Sequence, residues 1–312
     1  MEYFSDQERG KAESTKEDIP DQVWRGIFGH IHSLIDDGSF GESFPETCPD
    51  GPAVVGTDYR GFWDACGAEN PLLLEYAIQS QRKSSWSFDE TENIQLAQGL
   101  DQGKPDLLEI LDLIQFCFHH VSAPVQGSYH SFFRHHHLTF NQLNGRQAFL
   151  EKINRIFERN GIVFRLQADG TIVRILPPEF GQLLDSAQSG SEPGFDGLLN
   201  DAKTKILDPD PKVRKEGLER LWDAWERLKT LEEGNDKKAK ATNLLDKAAF
   251  SPAFRELLEK EARELTSIGN TYQIRHHEQG KNEINDPRQV DYLFFRMLPM
   301  ITLLLKARSE ST

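Results

Sequence analysis

The chain of 312 residues (35.6 kDa) is long enough for two domains, and its 38% apolar content suffices for packed cores despite a net charge of -14. Its longest apolar run, MLPMITLLL, is far shorter than the ~20 residues of a membrane span, and its amino end lacks a signal core, so we expect a cytoplasmic protein without a membrane partner. Cys48, Cys66 and Cys117 have no C-x-x-C spacing, which argues against a zinc knuckle or a disulfide framework.

The amino-terminal region, residues 21–190, is predicted as an α+β domain of helices plus a β-hairpin, and residues 1–20 as a flexible amino end without apolar periodicity. A first helix precedes Gly38, because apolar residues recur on one face up to that point. Residues 39–58 are predicted as a loop. A further helix begins at Pro105 and ends in a histidine pair, which suits the negative end of the helix dipole.

The clearest local pattern in this region is a helix followed by a hairpin. Phe149, Ile153 and Phe157 form a helical stripe that stops at Asn160–Gly161, a favoured carboxyl cap. The runs IVFRLQ and TIVRI flank an Ala-Asp-Gly turn, which predicts two paired strands.

Four histidines, His130, His135, His136 and His137, lie close together in HSFFRHHHLTF. Neutral imidazole is a common zinc ligand. Three consecutive histidines, however, point in two directions on a strand and in three on a helix, and no carboxylate is near in sequence. We therefore predict no metal site and interpret the segment as a surface or domain-contact loop, with base stacking on RNA as the alternative.

A change of composition near residues 177–195 marks a linker or a domain edge, because proline, glycine and serine become frequent there. Up to residue 193 the chain carries 15 basic and 29 acidic residues, whereas the remainder carries 21 of each. The excess acid therefore lies in the first domain. It suits a basic protein partner, or it shields the neutral half from indiscriminate contact with RNA.

Residues 195–312 are predicted to be all-helical. Apolar stripes with the helical period recur in four or five segments joined by short turns, and Asp-Pro pairs precede two of them. Such helices pack as an up-and-down bundle. The residues predicted in or near its core are Leu221, Trp222, Trp225, Phe254, Leu257, Phe294 and Leu298.

The order of motifs in this half is KVRKEGLERLWDAWERL in a central helix, TNLLDKAAF in a short helix, and IRHHE before a final apolar helix. This layout resembles the HEPN-like carboxyl domains of bacterial abortive-infection proteins of the AbiJ type. YFSDQERG and FLEKINRIFERNGIVFRLQADGTIVRI resemble the front domain that precedes such bundles. The resemblance covers residues 145–312, and the first 140 residues more loosely, and it implies a homodimeric protein of phage defence.

The resemblance further implies metal-independent cleavage of RNA, since many HEPN proteins are ribonucleases that use an arginine and a histidine. We take Arg275, His276 and His277 as the candidate catalytic residues and Lys281 as the candidate substrate-binding residue. Histidine can give or take a proton near neutral pH, and the planar guanidinium of arginine matches two phosphate oxygens. No cofactor is expected. HEPN pairs are separated by four to six residues, whereas here the arginine and histidines are adjacent.

Another interpretation stays open beside this one. The polar stretch after Ile274 is then a solvated loop in which Arg275 pairs with Glu278. The protein is in that case a non-catalytic HEPN-like module for dimerisation or partner binding in a defence or toxin-antitoxin system. The final helix, which has apolar residues on more than one face, is predicted to provide the dimer contact.

Overall fold

A computed structural model of the chain describes residues 13–71, 104–188, 192–272, 274 and 282–310. Contacts divide the chain into two compact units, residues 1–173 and residues 174–312. The first unit combines helices with strands, and the second is built from helices, in agreement with the predicted order of an α+β region and a helical region. No helix of the described part of the chain is long and apolar enough to cross a membrane.

The elements of the first unit alternate between helices and short strands. In chain order they are α1 (Asp21–Asp36), β1 (Pro45–Thr47), β2 (Val54–Thr57), α2 (Tyr59–Glu69), α3 (Leu107–His120), β3 (Ala123–His130), β4 (His135–Asn141), α4 (Gln142–Asn160), β5 (Phe164–Leu166) and β6 (Ile172–Arg174). The strands pair as three separate two-stranded sheets, β1–β2, β3–β4 and β5–β6.

Helices α1, α3 and α4 confirm the predicted helices of this region. Each buries an apolar stripe in one shared core, to which Ile27, Ile114 and Ile153 contribute. Helix α4 ends at Gly161, whose φ of 67° is the left-handed conformation expected of a carboxyl cap. The turn of the predicted hairpin β5–β6 contains Gly170 at φ 91°.

Two segments predicted as loops are hairpins instead. The predicted loop at residues 39–58 contains β1 and β2, which pair antiparallel with Pro45 opposite Thr57. The histidine-rich segment forms the end of the antiparallel pair β3–β4. Strands of three or four residues offer too few alternations for a period to emerge, and consecutive histidines hide the alternation of buried and exposed sides.

Residues 13–20, which belong to the predicted flexible amino end, are anchored to the first unit. The amides of Thr15 and Lys16 donate to the carbonyl oxygen of Gly161 at 2.9 and 2.8 Å, and the amide of Val163 donates to the carbonyl of Lys16 at 3.0 Å. Ile19 is fully buried. Residues 1–12 lie outside the described residues.

The second unit consists of α5 (Pro178–Ser186), α6 (Pro193–Lys205), α7 (Pro211–Leu228), α8 (Lys237–Ala248), α9 (Pro252–Thr271) and α10 (Pro287–Glu310). Helix α10 is central, because α5, α7 and α8 all contact it, while α6 packs along α7. It begins at Pro287, as predicted from the Asp-Pro pair. Helix α5 occupies about half of the predicted linker at residues 177–195, and its Leu184 is buried in the core of this unit.

The predicted core of the second unit is confirmed in its centre and wrong at its edge. Leu221, Trp222, Trp225, Phe294 and Leu298 are fully buried. The side chains of α9 predicted to join them, Phe254 and Leu257, are exposed by 39% and 57%. The buried stripe of α9 consists instead of Leu258, Ala262, Leu265 and Ile268, which leaves the side chains of its first turns beyond the edge of the core.

A buried carboxylate joins the segment after α7 to two helices of this unit. Glu232 accepts hydrogen bonds from Lys247 Nζ at 2.7 Å and from Arg308 Nε at 2.9 Å. Burial alone would raise the pKa of Glu232, but the bonds to the two cations outweigh burial and lower the pKa from its ordinary value of 4.5. The ionised form therefore stabilises the fold.

We expect Glu232→Gln to lower the free energy of unfolding at pH 7 by about 1–3 kcal/mol, because it weakens two charge-assisted hydrogen bonds in a buried place. Since the pKa of Glu232 is lowered in the folded state, its contribution is complete above pH 4.5 and is lost as the pH falls through the folded pKa. Urea unfolding from pH 7 to pH 3 measures this. Glu256→Gln, at an exposed position of α9, is the control, and a stability difference that persists unchanged at pH 3 would contradict the assignment.

Candidate functional site

The residues predicted to be catalytic lie in the segment between α9 and α10. Arg275, His276, His277 and Lys281 are all outside the described residues. The ends of this segment are fixed on the second unit. Tyr272 pairs with Asn282 in a parallel bridge, and Ile274 and Ile284 are buried in the core. The described residues on either side of positions 275–281 are therefore held on one unit.

The amino end of α10 carries a carboxylate of its own. Asp286 Oδ1 accepts from the Arg288 amide at 2.9 Å and from Arg288 Nε at 3.0 Å. These hydrogen bonds, the one to the Arg288 side chain first, lower the pKa of Asp286. The positive end of the helix dipole is thus already matched by a negative charge, so this helix end is not a ready-made phosphate site.

The second histidine cluster has a defined geometry on the β3–β4 hairpin. His130 is paired with His135 across the strands, and Tyr129 is paired with His136. Because successive side chains of a strand point to opposite faces, His130, His135 and His137 share one face and His136 lies on the other. The three imidazoles of the shared face form a near-equilateral triangle, with ring centroids 5.5, 5.8 and 5.7 Å apart.

The turn of the β1–β2 hairpin places a cysteine against this face. The Cys48 amide donates to the Ala53 carbonyl at 2.8 Å, and the Cys48 carbonyl accepts from the Gly51 amide at 3.1 Å. These two bonds fix the backbone of Cys48, which carries the thiol, in the turn. The Cys48 Sγ, one ring nitrogen of His135 and one of His137 all lie within 4.8 Å of one another, and Cys48 is buried.

Two ring nitrogens in this cluster lack a hydrogen bond. Within the described part of the chain, the buried Nε2 atoms of His135 and His137 have no hydrogen-bond partner. The other nitrogen of His137, Nδ1, lies 3.2 Å from Ser128 Oγ. The His135 ring stacks on Phe133 with an interplanar angle of 5°. Buried polar atoms are nearly always satisfied, so these two nitrogens call for a ligand.

A carboxylate contacts His130 beside His135 and His137. His130 Nε2 is 3.2 Å from Asp50 Oδ2, and Asp50 comes from the same turn as Cys48. The hairpin turn thus brings a thiol and a carboxylate to three imidazoles. Thiol and imidazole are the ligand types preferred by zinc and other borderline-soft metal ions.

The prediction that this segment is a loop is therefore wrong, because it forms a hairpin that is partly exposed at the surface. The spacing of its histidines explains the error. His135 and His137 are two residues apart, a spacing that puts both on one side of a strand but not of a helix. Cys48 and Asp50 stand more than 80 residues earlier in the sequence. A strand assignment for residues 135–141 would have paired the two histidines, but nothing local points to the cysteine.

Close backbone packing holds the two hairpins together. A Cβ at Gly41 would lie 2.5 Å from the Gly56 carbonyl oxygen of β2 and 3.0 Å from the Phe140 ring of β4. Gly38, at φ 85°, similarly approaches Leu138 of β4. The segment between α1 and β1 can therefore lie between the hairpins only because these positions have no side chain.

The comparisons with known proteins give one match. A model of the family AbiJ N-terminal domain 4 matches residues 2–189, which is more than half of the chain. No curated protein and no solved structure matches.

We expect Gly41→Ala to destabilise the first unit by about 1–3 kcal/mol, because the added methyl group meets a backbone oxygen that cannot move aside. Gly51→Ala, in the turn of the nearby β1–β2 hairpin, is the matched control, since a Cβ there meets no atom within 4 Å. Urea unfolding followed by circular dichroism measures both. Equal unfolding midpoints for the two variants would show that the close approach at Gly41 is not needed.

Proposed function

The chain belongs to the AbiJ N-terminal domain 4 family, and we propose that, within phage defence by abortive infection, it acts as a metal-independent ribonuclease. The family indicates the role in abortive infection. The proposal adds that the helical second unit is HEPN-like and that it cleaves RNA in the cytoplasm.

The observation that carries the proposal is the Arg-His-His sequence between two anchored chain ends. Tyr272 and Asn282 are bridged, and Ile274 and Ile284 are buried on either side. A short polar segment held at both ends on a rigid bundle suits catalysis, because rigid elements position functional loops. The cationic and imidazole groups needed for RNA cleavage all belong to this segment.

The chemistry follows from those side chains. One of His276 and His277 takes the proton from the RNA 2'-hydroxyl, whose oxygen then attacks the adjacent phosphorus. Arg275 binds two oxygens of the pentacoordinate phosphorane, and the other histidine protonates the leaving 5'-oxygen. Lys281 binds a neighbouring phosphate of the substrate. The products are a 2',3'-cyclic phosphate and a free 5'-hydroxyl, and no metal ion takes part.

The distribution of charge assigns different tasks to the two halves. The excess acid lies in the first 193 residues, and the remainder has equal numbers of acidic and basic residues. RNA binding is disfavoured on an acidic surface, since phosphate contacts need lysine and arginine. We therefore assign the substrate to the second unit and a regulatory partner, a basic protein, to the first.

We expect Arg275→Ala to slow cleavage about 100- to 1,000-fold, the loss seen when one donor to a transition-state oxyanion is removed. The double variant His276→Ala/His277→Ala should have no activity, because both proton-transfer groups are gone. Cleavage of a labelled RNA by the purified full chain measures this, and end analysis should find 2',3'-cyclic phosphate.

Arg263→Ala is the control for loss of an arginine, since Arg263 lies on α9 of the same unit and pairs with Glu259 at the surface. It should cleave at the wild-type rate. Full activity of Arg275→Ala, or a rate that depends on added magnesium, would refute the mechanism.

An exposed apolar group favours a second candidate function, a non-catalytic module that associates with another copy of the chain. Phe250, exposed by 92%, precedes α9, and Phe254 and Leu257 follow in its first turns. The apolar side chains of α10 are mostly buried within their own unit, so that helix has little apolar surface left for the predicted dimer contact. Large apolar side chains grouped at a surface are typical of association sites.

If this association occurs, Phe250→Ser/Leu257→Ser should convert a dimer to a monomer, because it removes the apolar surface that drives association. Light scattering at tens of micromolar measures the mass. Leu143→Ser, at an exposed leucine of the first unit, is the control and should leave the mass of a dimer unchanged. A monomeric wild-type chain would contradict the dimer.

A further inference from the structure

We propose that Cys48, His135 and His137 bind a zinc ion in the first unit, and that this ion fastens the β1–β2 turn to the face of the β3–β4 hairpin. The inference is independent of the proposed RNA cleavage, since the residues assigned to cleavage belong to the second unit. It adds a metal site to a protein whose proposed reaction uses none.

The donor atoms of Cys48, His135 and His137 lie close together. They lie within 4.8 Å of one another. Bonds of about 2.3 Å to sulfur and about 2.0–2.1 Å to nitrogen place one sulfur and two nitrogen ligands of a tetrahedral zinc ion roughly 3.3–3.6 Å apart. The side chains of Cys48, His135 and His137 therefore have to draw together by little more than about 1 Å to hold the ion.

The unpaired nitrogens give an independent reason for a ligand. A buried polar atom left without a hydrogen bond carries a cost in free energy. His135 and His137 each leave Nε2 in that condition within the described part of the chain, and both belong to the proposed ligand set. Coordination to one ion removes both costs at once.

The orientation of His137 suits coordination. Its Nδ1 lies 3.2 Å from Ser128 Oγ on the partner strand. When Nδ1 carries the proton and donates it to Ser128, the lone pair of Nε2 is free for the metal. A metal-binding histidine usually donates a hydrogen bond from the N–H of its second ring nitrogen. This bond fixes the tautomer and the orientation of the ring.

The donor set points to zinc. One thiolate with two neutral imidazoles suits a borderline-soft ion, whereas calcium and magnesium require oxygen ligands. Three protein ligands leave a fourth position, next to His130, whose ring centroid is 5.5 and 5.8 Å from those of the two ligating imidazoles. His130 is engaged with Asp50, so we assign the fourth position to water.

The test is the metal content of the purified full chain, measured by mass spectrometry after growth in zinc-supplemented medium and dialysis. The wild type should contain one zinc ion per chain. Cys48→Ala and His137→Ala should each lose it, whereas His136→Ala should retain it, because His136 lies on the other face of the hairpin. Ser128→Ala should bind zinc about 10- to 100-fold more weakly, the usual effect of losing a partner of a ligating histidine.

A second measurement uses only the wild type, so it tests the proposal even if the variants fail to fold. Zinc is removed from the wild type with a chelator and returned in equimolar amount while the thermal unfolding midpoint is followed. The midpoint should fall and then recover, since an ion that binds only the folded state stabilises it. Wild-type protein without zinc, or zinc retained equally by the Cys48→Ala and His136→Ala variants, would overturn the proposal.

Discussion

The close approach of glycine backbones between two hairpins determines the arrangement of the first unit. The chain after α1 runs between β2 and β4, where Gly41 lies against the Gly56 carbonyl and beside the ring of Phe140. The Phe40 amide donates to Thr57 Oγ1 at 3.2 Å, and the Ser122 amide donates to the Ser39 carbonyl at 2.8 Å, which fixes the same segment from both sides. Because of this packing, a turn near residue 50 meets a strand near residue 135. The contacts of the Cys48 thiol and of Asp50 with the imidazoles follow from it.

The second unit depends on a different constraint, the burial of one long apolar helix. Helix α10 contacts α5, α7 and α8, and the buried carboxylate of Glu232 is matched by Lys247 and Arg308. A rigid bundle of this kind can hold a polar segment between Tyr272 and Asn282. The zinc ion that we propose would fasten the hairpins of the first unit, whereas the chemistry proposed for the second unit requires no metal. The acidic composition of the first half suits regulation rather than RNA contact.

Elements whose pattern lies within one segment of the sequence could be predicted. Contacts between segments distant in the sequence could not. Helices α1, α4 and α10 and the hairpin β5–β6 follow from stripes, caps and a turn that lie within each segment. The short strands β1 and β2 have too few residues to show a period. The position of Phe254 and Leu257 at the surface depends on which side of α9 meets its neighbours. The proposed metal site combines a cysteine with two histidines that lie more than 80 residues later in the sequence. No local pattern shows that these residues meet.

Zinc K-edge X-ray absorption of the purified chain tests whether Cys48, His135 and His137 bind zinc, because it reports the atoms around the ion. The account predicts a four-coordinate ion with one sulfur at about 2.3 Å and nitrogen or oxygen atoms at about 2.0–2.1 Å. A first shell without sulfur, or with two or more sulfur atoms, would contradict a site made by Cys48, His135 and His137.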